Sequence, residues 1–299
     1  MPTEPRLIAS YFTLAGNILP LAASMASPLD LADRAQAAAR AGYCGIGLHS
    51  DDLLQSIARH GYAGIKRILD DAGLQYLEIE ALLDWFVDGD RRRASDTARK
   101  VMLEGAEKLG AFQIKATGDF YGGTWSTDWM AAEFATLCRQ AASVGANVTI
   151  EILPFSNIRD LPTAVEIVDK AAAPNGGLCL DVWHMSRGGI AFDDIAKVPG
   201  RYIKHIELDD ADEAVIGTLI EDTIRNRRRP GEGSIDIPHF LRSVDATGYA
   251  GLFGVEVLSD AQRMLPLDQA AHLTYQAAIA QFNHMGSIGK ANHRADGKL

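Results

Sequence analysis

The stretch that decides the fold is Gly176–Gly189, which reads GGLCLDVWHMSRGG. A short apolar run in it ends abruptly at Asp181, and His184 follows three residues later. Three other apolar runs also end in an acid, at Glu151, Glu207 and Glu256. Acidic side chains at the carboxyl ends of several strands are typical of a metal site at the mouth of an α/β barrel. The sequence therefore predicts such a site.

Strand-like and helix-like stretches alternate along the chain, which favours a parallel sheet. Eight strand–helix units predict an α/β fold, a single (β/α)8 TIM barrel over residues 1–285, followed by a polar C-terminal tail over residues 286–299. The first strand is predicted at Leu7–Leu14 and the last helix at Pro266–Phe282. A doubly wound open sheet is the alternative, but the glycine fingerprint that usually follows its first strand is missing.

The composition narrows the classes of function. Hydrophobic residues make up 47% and charged residues 23% of 299 residues, which is an ordinary globular balance. A net charge of -10 argues against a nucleic-acid partner, because phosphate binding needs a basic face. Three widely spaced cysteines favour a reducing compartment. With no signal-peptide pattern and no apolar run near the ~20 residues of a membrane helix, we expect a cytoplasmic protein without a membrane partner.

The alternation of side chains along the strands supports the metal site. If the four acids point into the barrel, the residues two positions earlier do so too, and these are small or polar: Thr149, Cys179, His205 and Gly254. Four converging carboxylates repel one another unless they are protonated or bind a cation. We therefore predict one divalent metal ion, Mn or Mg, with Co or Zn as alternatives. The competing interpretation is that the acids are ordinary strand-end or helix-capping groups.

Other strand ends supply candidates for substrate contacts. Lys115 ends the fourth strand, Glu80 the third and His49 the second, although each could equally be a solvated or capping side chain. His184 is placed to overhang the metal and suits acid–base chemistry near neutral pH. His205 lies one layer below the ligands and is expected to orient Glu207. An apolar wall could come from Trp85, Phe86, Tyr121 and Trp125, for which packing under a loop is the alternative.

Several runs together resemble one known family: VTIEILPF, GLCLDVWHMSRGG, IKHIELDDA, RRRPGEGSIDIPHFLRSVDATGYAG and LFGVEVLS. They are similar to the xylose-isomerase-like TIM barrel superfamily of sugar-phosphate isomerases and epimerases, which includes 3-dehydroshikimate and inosose dehydratases. The resemblance implies that Glu151, Asp181, Glu207 and Glu256 bind the metal. The seventh strand departs from the family pattern, where Gln or His stands in place of Glu207. Either Glu207 is the fourth ligand or His205 takes part, and Glu207 is preferred because it is level with the other strand ends.

The resemblance also implies a substrate-binding arginine before Pro230-Gly-Glu-Gly233. Arg229 is the expected one, while a solvated loop is the alternative for Arg227 and Arg228.

The function expected from these features is a divalent-metal-dependent isomerase or epimerase. It would act on a small polyhydroxylated carbonyl compound, a sugar or keto-sugar with or without phosphate, through an enediolate. Glu151, Glu256 and His184 are the candidates for moving the proton. The alternative is a metal-dependent dehydratase of the 3-dehydroshikimate, keto-inositol or keto-glycoside type, and a non-catalytic sugar-binding barrel is a third hypothesis. The oligomeric state is open, and an exposed apolar helix face would support a homodimer.

Overall fold

The computed structural model describes residues 5–295, with side chains described up to residue 283. Its eight strands are β1 (Leu7–Ala9), β2 (Gly45–His49), β3 (Tyr76–Leu82), β4 (Gln113–Thr117), β5 (Asn147–Glu151), β6 (Gly176–Asp181), β7 (Ile203–Leu208) and β8 (Phe253–Val255). They pair in chain order, all parallel, and β8 closes on β1. The predicted single TIM barrel is confirmed.

Eleven α-helices accompany the strands in the described part of the chain. They are α1 (Tyr11–Leu14), α2 (Leu31–Ala41), α3 (Ser50–Ala72), α4 (Gly89–Leu109), α5 (Thr127–Ala142), α6 (Leu161–Ala171), α7 (Val182–Arg187), α8 (Phe192–Ile195), α9 (Leu219–Arg225), α10 (Ile237–Ala246) and α11 (Leu267–Ala295). Two short 3₁₀ helices lie at Gly200–Tyr202 and Gln262–Met264. In the described residues, no helix combines the length and the apolar character needed to cross a membrane.

The main apolar core lies between the strands and the surrounding helices. It contains the outward-facing strand residues, such as Val148, Ile150, Leu180 and Ile206, all of which are fully buried. The inward-facing residues of the same strands are polar, as the alternation predicted. Gly254 is required on this inner face, because a Cβ there would lie 2.8 Å from His205 Nε2 and 2.9 Å from Glu207 Cγ.

The first strand is shorter than predicted. It ends at Ala9, and residues 11–14 form a helical turn where the sequence suggested more strand. Thr13 explains the turn, because its hydroxyl donates to the Val255 carbonyl at 2.6 Å and accepts from the Val257 amide at 2.9 Å. The Tyr11 amide donates to Glu80 Oε1 at 2.6 Å. Side chains thus take over the hydrogen bonds that a longer strand would make.

The last helix is longer than predicted, since it continues from Leu267 to Ala295. The predicted polar tail therefore begins, at Gly286, within a stretch whose backbone is helical. Residues 296–299 lie outside the described residues, so the character of the tail stays a prediction.

Strand register brings the acids to one end of the barrel. Asp181 on β6 pairs with Glu207 on β7, and Glu207 pairs with Gly254 on β8, two residues before Glu256. Glu151 on β5 pairs with Cys179, two residues before Asp181. Since parallel strands carry their carboxyl ends to the same side, all four acids meet at the mouth.

Candidate metal and substrate site

The four predicted acids form a compact group, called the acid ring below: Glu151, Asp181, Glu207 and Glu256. Each offers a carboxylate oxygen, and these oxygens all lie within 4.8 Å of one another. All four side chains are buried. Asp181 also caps α7, because its Oδ1 accepts the His184 amide at 2.9 Å. The capping alternative is therefore true of Asp181, but it does not explain why the four acids converge.

Lys115 lies beside the acid ring, on the side of Glu207 and Glu256, and is 1% exposed. Its Nζ is 2.8 Å from Glu207 Oε1 and 3.0 Å from Glu256 Oε1. A third carboxylate, Glu80 Oε2, is 2.5 Å away. The alternative of a solvated strand-end lysine is wrong. Instead, Lys115 provides charge compensation between the ring and Glu80.

Arg227 is the arginine of the β7–β8 connection that enters the site. It is 2% exposed, and its Nη1 lies 2.6 Å from Asp181 Oδ2 and 3.2 Å from Glu256 Oε2. It also pairs with Asp209, the residue after β7. The expectation of a solvated loop at Arg227 is wrong.

Arg229, the arginine expected in the site, instead contacts Glu232 at 2.9 Å and Gln262 at 3.5 Å. The loop turns back through an antiparallel bridge between Asp210 and Arg228. Of the two arginines that flank Arg228, Arg227 contacts the acid ring and Arg229 does not. The sequence offered one signal for this pairing, the two aspartates after β7, which supply a buried partner for an arginine.

His184 stands beside Glu151, as its position after Asp181 suggested. Its Nε2 is 3.2 Å from Glu151 Oε1 and 3.0 Å from Arg227 Nη2. A guanidinium can only donate, so Nε2 accepts from Arg227. Burial lowers the pKa of His184 to about 4, so the ring is neutral at physiological pH.

A second polar layer lies beneath the acid ring. His205 is fully buried, with Nε2 3.4 Å from Glu78 Oε2 and 3.9 Å from Glu207 Oε1. Glu207 also accepts from Ser10 Oγ at 2.9 Å and from Cys179 Sγ at 3.2 Å. His205 thus lies beneath the ring, but neither of its ring nitrogens makes a hydrogen bond, so its role in orienting Glu207 stays a prediction. It is not among the residues that line the pocket above.

The pocket above the acid ring holds about 740 Å³ of free space, counted out to its open mouth. Lys115, His49 and Glu80 line it, together with His184, Glu151, Arg227 and Glu256. His49 Nδ1 accepts the Asp51 amide at 3.2 Å and so caps α3, which is the alternative that the sequence left open for strand-end polar residues.

The aromatic residues expected to form a wall lie elsewhere. Trp85 and Phe86 are fully buried in the core, and Tyr121 is 76% exposed. The Trp125 indole donates to Asp119 at 3.0 Å. The phenylalanines that do line the pocket come from loops after β1, β4 and β5, namely Phe12, Phe120 and Phe155.

The pKa values of Glu151 and Glu207, two carboxyl groups of the acid ring, are shifted in opposite directions. Burial raises the pKa of Glu151 well above its ordinary value, although Lys115 acts to lower it. Burial acts to raise the pKa of Glu207 as well, but Lys115 and His205 bring it below the ordinary value. Neighbouring carboxylates hold the pKa of Lys115 well above its ordinary value despite burial. In the metal-free protein, Glu151 therefore carries a proton more readily than Glu207 does.

The pKa of Glu80 predicts how the metal-free protein responds to pH. Burial raises it to about 7 from an ordinary 4.5, even though Lys115 acts to lower it. The folded protein then holds a proton that the unfolded chain has lost, so stability falls as pH rises from the ordinary value through about 7. We expect Tm in EDTA to fall between about pH 5 and about pH 8, and to fall less in Glu80→Gln. Thermal melts of both proteins across this range are the measurement, and parallel curves would contradict the assignment.

The donor set of the acid ring fits a divalent metal. Four carboxylates on four adjacent strands offer the hard oxygen ligands that Mg²⁺ and Mn²⁺ prefer. Burial raises the pKa of Glu151 most, and the other three ring carboxylates raise it further, a repulsion that a divalent cation would offset. A second combination, Glu151, Asp181 and His184, would add a nitrogen ligand and suit Zn²⁺ or Co²⁺. Lys115 and Arg227 already contact ring oxygens, so an ion would have to compete with them.

Comparison with known proteins agrees with this site. Residues 35–280 match the family model described as xylose isomerase-like TIM barrel. A 3-dehydroshikimate dehydratase of Pseudomonas aeruginosa is 28% identical over 245 residues, covering 79% of this chain and 37% of that protein. An inosose isomerase of Halalkalibacterium halodurans is 27% identical over 132 residues, covering 44% of this chain and 46% of that protein. In each case the match covers less than half of the relative's own length.

Among solved structures, the IolI protein with a bound zinc atom superimposes with a TM-score of 0.81 at 20% identity, covering 92% of this chain and 97% of that one. At that identity the likeness establishes the fold alone. The family match, in contrast, covers most of the chain and includes all four strands that carry the acid ring. The chain belongs to the xylose isomerase-like TIM barrel family.

Proposed function

We propose that this protein is a divalent-metal-dependent isomerase or epimerase of a small carbonyl compound that carries neighbouring hydroxyl groups. The observation that carries the proposal is the convergence of four buried carboxylate oxygens within 4.8 Å at the barrel mouth, beneath an open pocket. Both curated relatives are named as enzymes, a dehydratase and an isomerase. The metal, when bound, would supply Lewis-acid polarisation of a substrate oxygen.

The chain's own residues would move the proton. Glu151 and Glu256 come from strands that are not neighbours, so their carboxylates border the bound substrate from two directions. One of them would accept the proton on the carbon alpha to the carbonyl, and the other would return a proton to the same or the adjacent carbon. Neutral His184, 3.2 Å from Glu151, would orient that carboxyl group in its protonated form, because Nε2 accepts hydrogen bonds and does not donate them. Arg227 and Lys115 would hold the ring carboxylates in place and stabilise negative charge on the substrate oxygens.

A dehydratase is the second candidate, and the extended match to the 3-dehydroshikimate dehydratase favours it. Both reactions begin with removal of the same kind of proton. In dehydration the electron pair then expels a β-hydroxyl group as water, after protonation of that oxygen. Glu151, whose pKa is raised well above its ordinary value by burial, would supply that proton.

Proton NMR of the Mg-loaded protein in deuterated water tests the proposal. The panel should contain ketohexoses, their phosphates, 3-keto-glucosides, inosose and 3-dehydroshikimate. Deuterium entering at the carbon alpha to the carbonyl with all hydroxyls retained would support isomerisation or epimerisation. A new alkene or enone signal would support dehydration instead. If no compound exchanges with Mg, Mn, Co or Zn present, the non-catalytic sugar-binding barrel becomes the better hypothesis.

Arg227 gives a second test of the proposed site. Arg227→Lys keeps the positive charge but removes the planar fork that reaches Asp181, Glu256 and His184 together. We expect kcat/KM to fall by about 100-fold or more, which corresponds to about 2.7 kcal/mol of lost transition-state stabilisation. Arg228→Lys is the matched control, because Arg228 pairs with Asp212 at the surface. Steady-state kinetics of the two variants on whichever substrate the exchange experiment identifies would decide, and equal effects would remove Arg227 from the proposed site.

A further inference from the structure

The wall of the pocket is apolar where a free sugar would require hydrogen-bonding groups. We use the name apolar wall for six pocket-lining residues: Phe12, Leu21, Phe120, Phe155, Ile220 and Ile224. They come from the loops after β1, β4, β5 and β7, so the wall surrounds much of the mouth. Leu21 is 57% exposed and lies at the open rim of the pocket. The polar groups, in contrast, are concentrated at the floor.

The cations of the pocket are already engaged. Lys115 and Arg227 are the lysine and arginine among its described lining residues, and both are buried against carboxylates. Both lining histidines accept hydrogen bonds from the chain itself, His49 Nδ1 from the Asp51 amide and His184 Nε2 from Arg227. Recognition of a phosphate or carboxylate normally uses a free cation or a backbone amide cluster. Among the described residues that line the pocket, no lysine or arginine is free of a carboxylate partner.

The backbone amides of the nearby glycine-rich loops are also engaged, by aspartates of the chain itself. Asp210 Oδ2 accepts the amides of Gly231 and Gly233, each at 2.9 Å. A Cβ at Gly233 would come within 2.4 Å of Asp210 Oδ1, so the loop is closely fitted around this carboxylate. Asp119 in the same way accepts the amides of Tyr121 at 2.9 Å and Gly123 at 3.1 Å. In both loops these amides are therefore already bonded to an aspartate of the chain itself.

We propose that the substrate is an uncharged α-hydroxycarbonyl compound that carries an aromatic substituent, such as the aglycone of a keto-glycoside. The inference rests on the proposed function, because the polar half of the substrate is assigned to the acid ring. The aromatic half would lie against the apolar wall, where three phenylalanines offer edge-to-face contacts. Phosphorylated and carboxylated substrates would be bound poorly.

Three probes that share one α-hydroxyketone group separate the substituents. They are hydroxyacetone, with a methyl group, 2-hydroxyacetophenone, with a phenyl group, and hydroxypyruvate, with a carboxylate. Binding to the Mg-loaded protein is measured by calorimetry. We expect the phenyl probe to bind at least about 10-fold more tightly than the methyl probe, because the ring removes more apolar surface from water. The carboxylate probe is expected to bind more weakly than the methyl probe.

A matched pair of exposed leucines tests the wall itself. Leu21→Ser changes the apolar wall, while Leu54→Ser changes a leucine of α3 that is 49% exposed and does not line the pocket. Because both positions are at the surface, neither change should unfold the protein. Leu21→Ser is expected to lower the affinity for the phenyl probe about 5- to 10-fold and to leave the affinity for the methyl probe unchanged. Leu54→Ser is expected to change neither.

Deuterium exchange at the hydroxymethyl carbon of the same probes separates failure of this inference from failure of the proposed function. Metal-dependent exchange without a preference for phenyl, or with a preference for the carboxylate, would overturn the aromatic substrate and leave the proposed function standing. A phenyl preference that Leu21→Ser abolishes, without metal-dependent exchange, would support the wall and count against the enediolate chemistry. An equal loss in Leu21→Ser and Leu54→Ser would also overturn the inference.

Discussion

Replacing Glu256 by glutamine is expected to abolish metal-dependent proton exchange, with a fall of at least about a thousandfold. Glu256 is one of the four acids whose oxygens lie within 4.8 Å of one another. It also forms ion pairs with the two buried cations of the pocket, Lys115 at 3.0 Å and Arg227 at 3.2 Å. Glutamine keeps the shape of the side chain but offers neither the second anionic oxygen nor a basic site for the proton.

Metal affinity distinguishes the two ways in which Glu256→Gln could act. If Glu256 is a ligand, Mg affinity measured by calorimetry should fall by about 100-fold or more. Mutation of residues that only hydrogen-bond to metal ligands already lowers metal affinity by about 10- to 100-fold. If it serves as the base alone, affinity should change little while exchange is still lost. Glu232→Gln is the control, because Glu232 is a surface acid that pairs with Arg229. Exchange at the wild-type rate in Glu256→Gln would refute the proposed site.

Replacing Lys115 by methionine is expected to destabilise the metal-free protein strongly. The change removes a buried cation from three carboxylates, Glu80, Glu207 and Glu256, and leaves their charges uncompensated. Removing one partner of a buried ion pair costs about 3–5 kcal/mol. For a chain of this size that corresponds to a Tm lower by about 6–12 °C in EDTA. Lys66→Met, which removes an exposed pair with Asp70, is expected to shift Tm by less than about 2 °C.

Addition of metal makes the Lys115→Met result specific. A divalent ion can replace the lost positive charge, so saturating Mg should raise the Tm of Lys115→Met by more than it raises that of the wild type. The variant should also bind Mg more tightly, because the ion no longer competes with an ammonium group. Destabilisation that metal does not relieve would mean that Lys115 matters through packing and not through the charge of the acid ring.

The four acids could be predicted because the evidence for them is local. Each ends an apolar run, and the alternation of side chains along a strand decides which residues share its face. The same argument placed His205 beneath Glu207, where the structure has it, 3.9 Å away. Asp181 followed by His184 likewise needed no knowledge of distant residues, since Asp181 caps the helix that begins immediately after it.

The loops could not be predicted in this way. Arg227 and Arg229 have the same chemistry and lie two positions apart, and they differ in the partners that the fold brings to them, Asp181 and Asp209 for Arg227 and Glu232 for Arg229. The aromatic residues gave a similar difficulty. Trp85 and Phe86 pack into the core, whereas Phe12, Phe120 and Phe155, on three different loops, meet over the pocket.

By itself, the sequence determined the barrel, which side chains of each strand point inward, and which strands end in an acid. These features could be predicted because side chains alternate every two residues along a strand, whatever the strand packs against. Tertiary structure decided the charge of the site and the nature of its entrance. Lys115 meets carboxylates that are 35, 92 and 141 positions away in the chain. The partners of a buried cation and the lining of a pocket depend on how separate loops converge in space, and closure of the barrel sets that convergence.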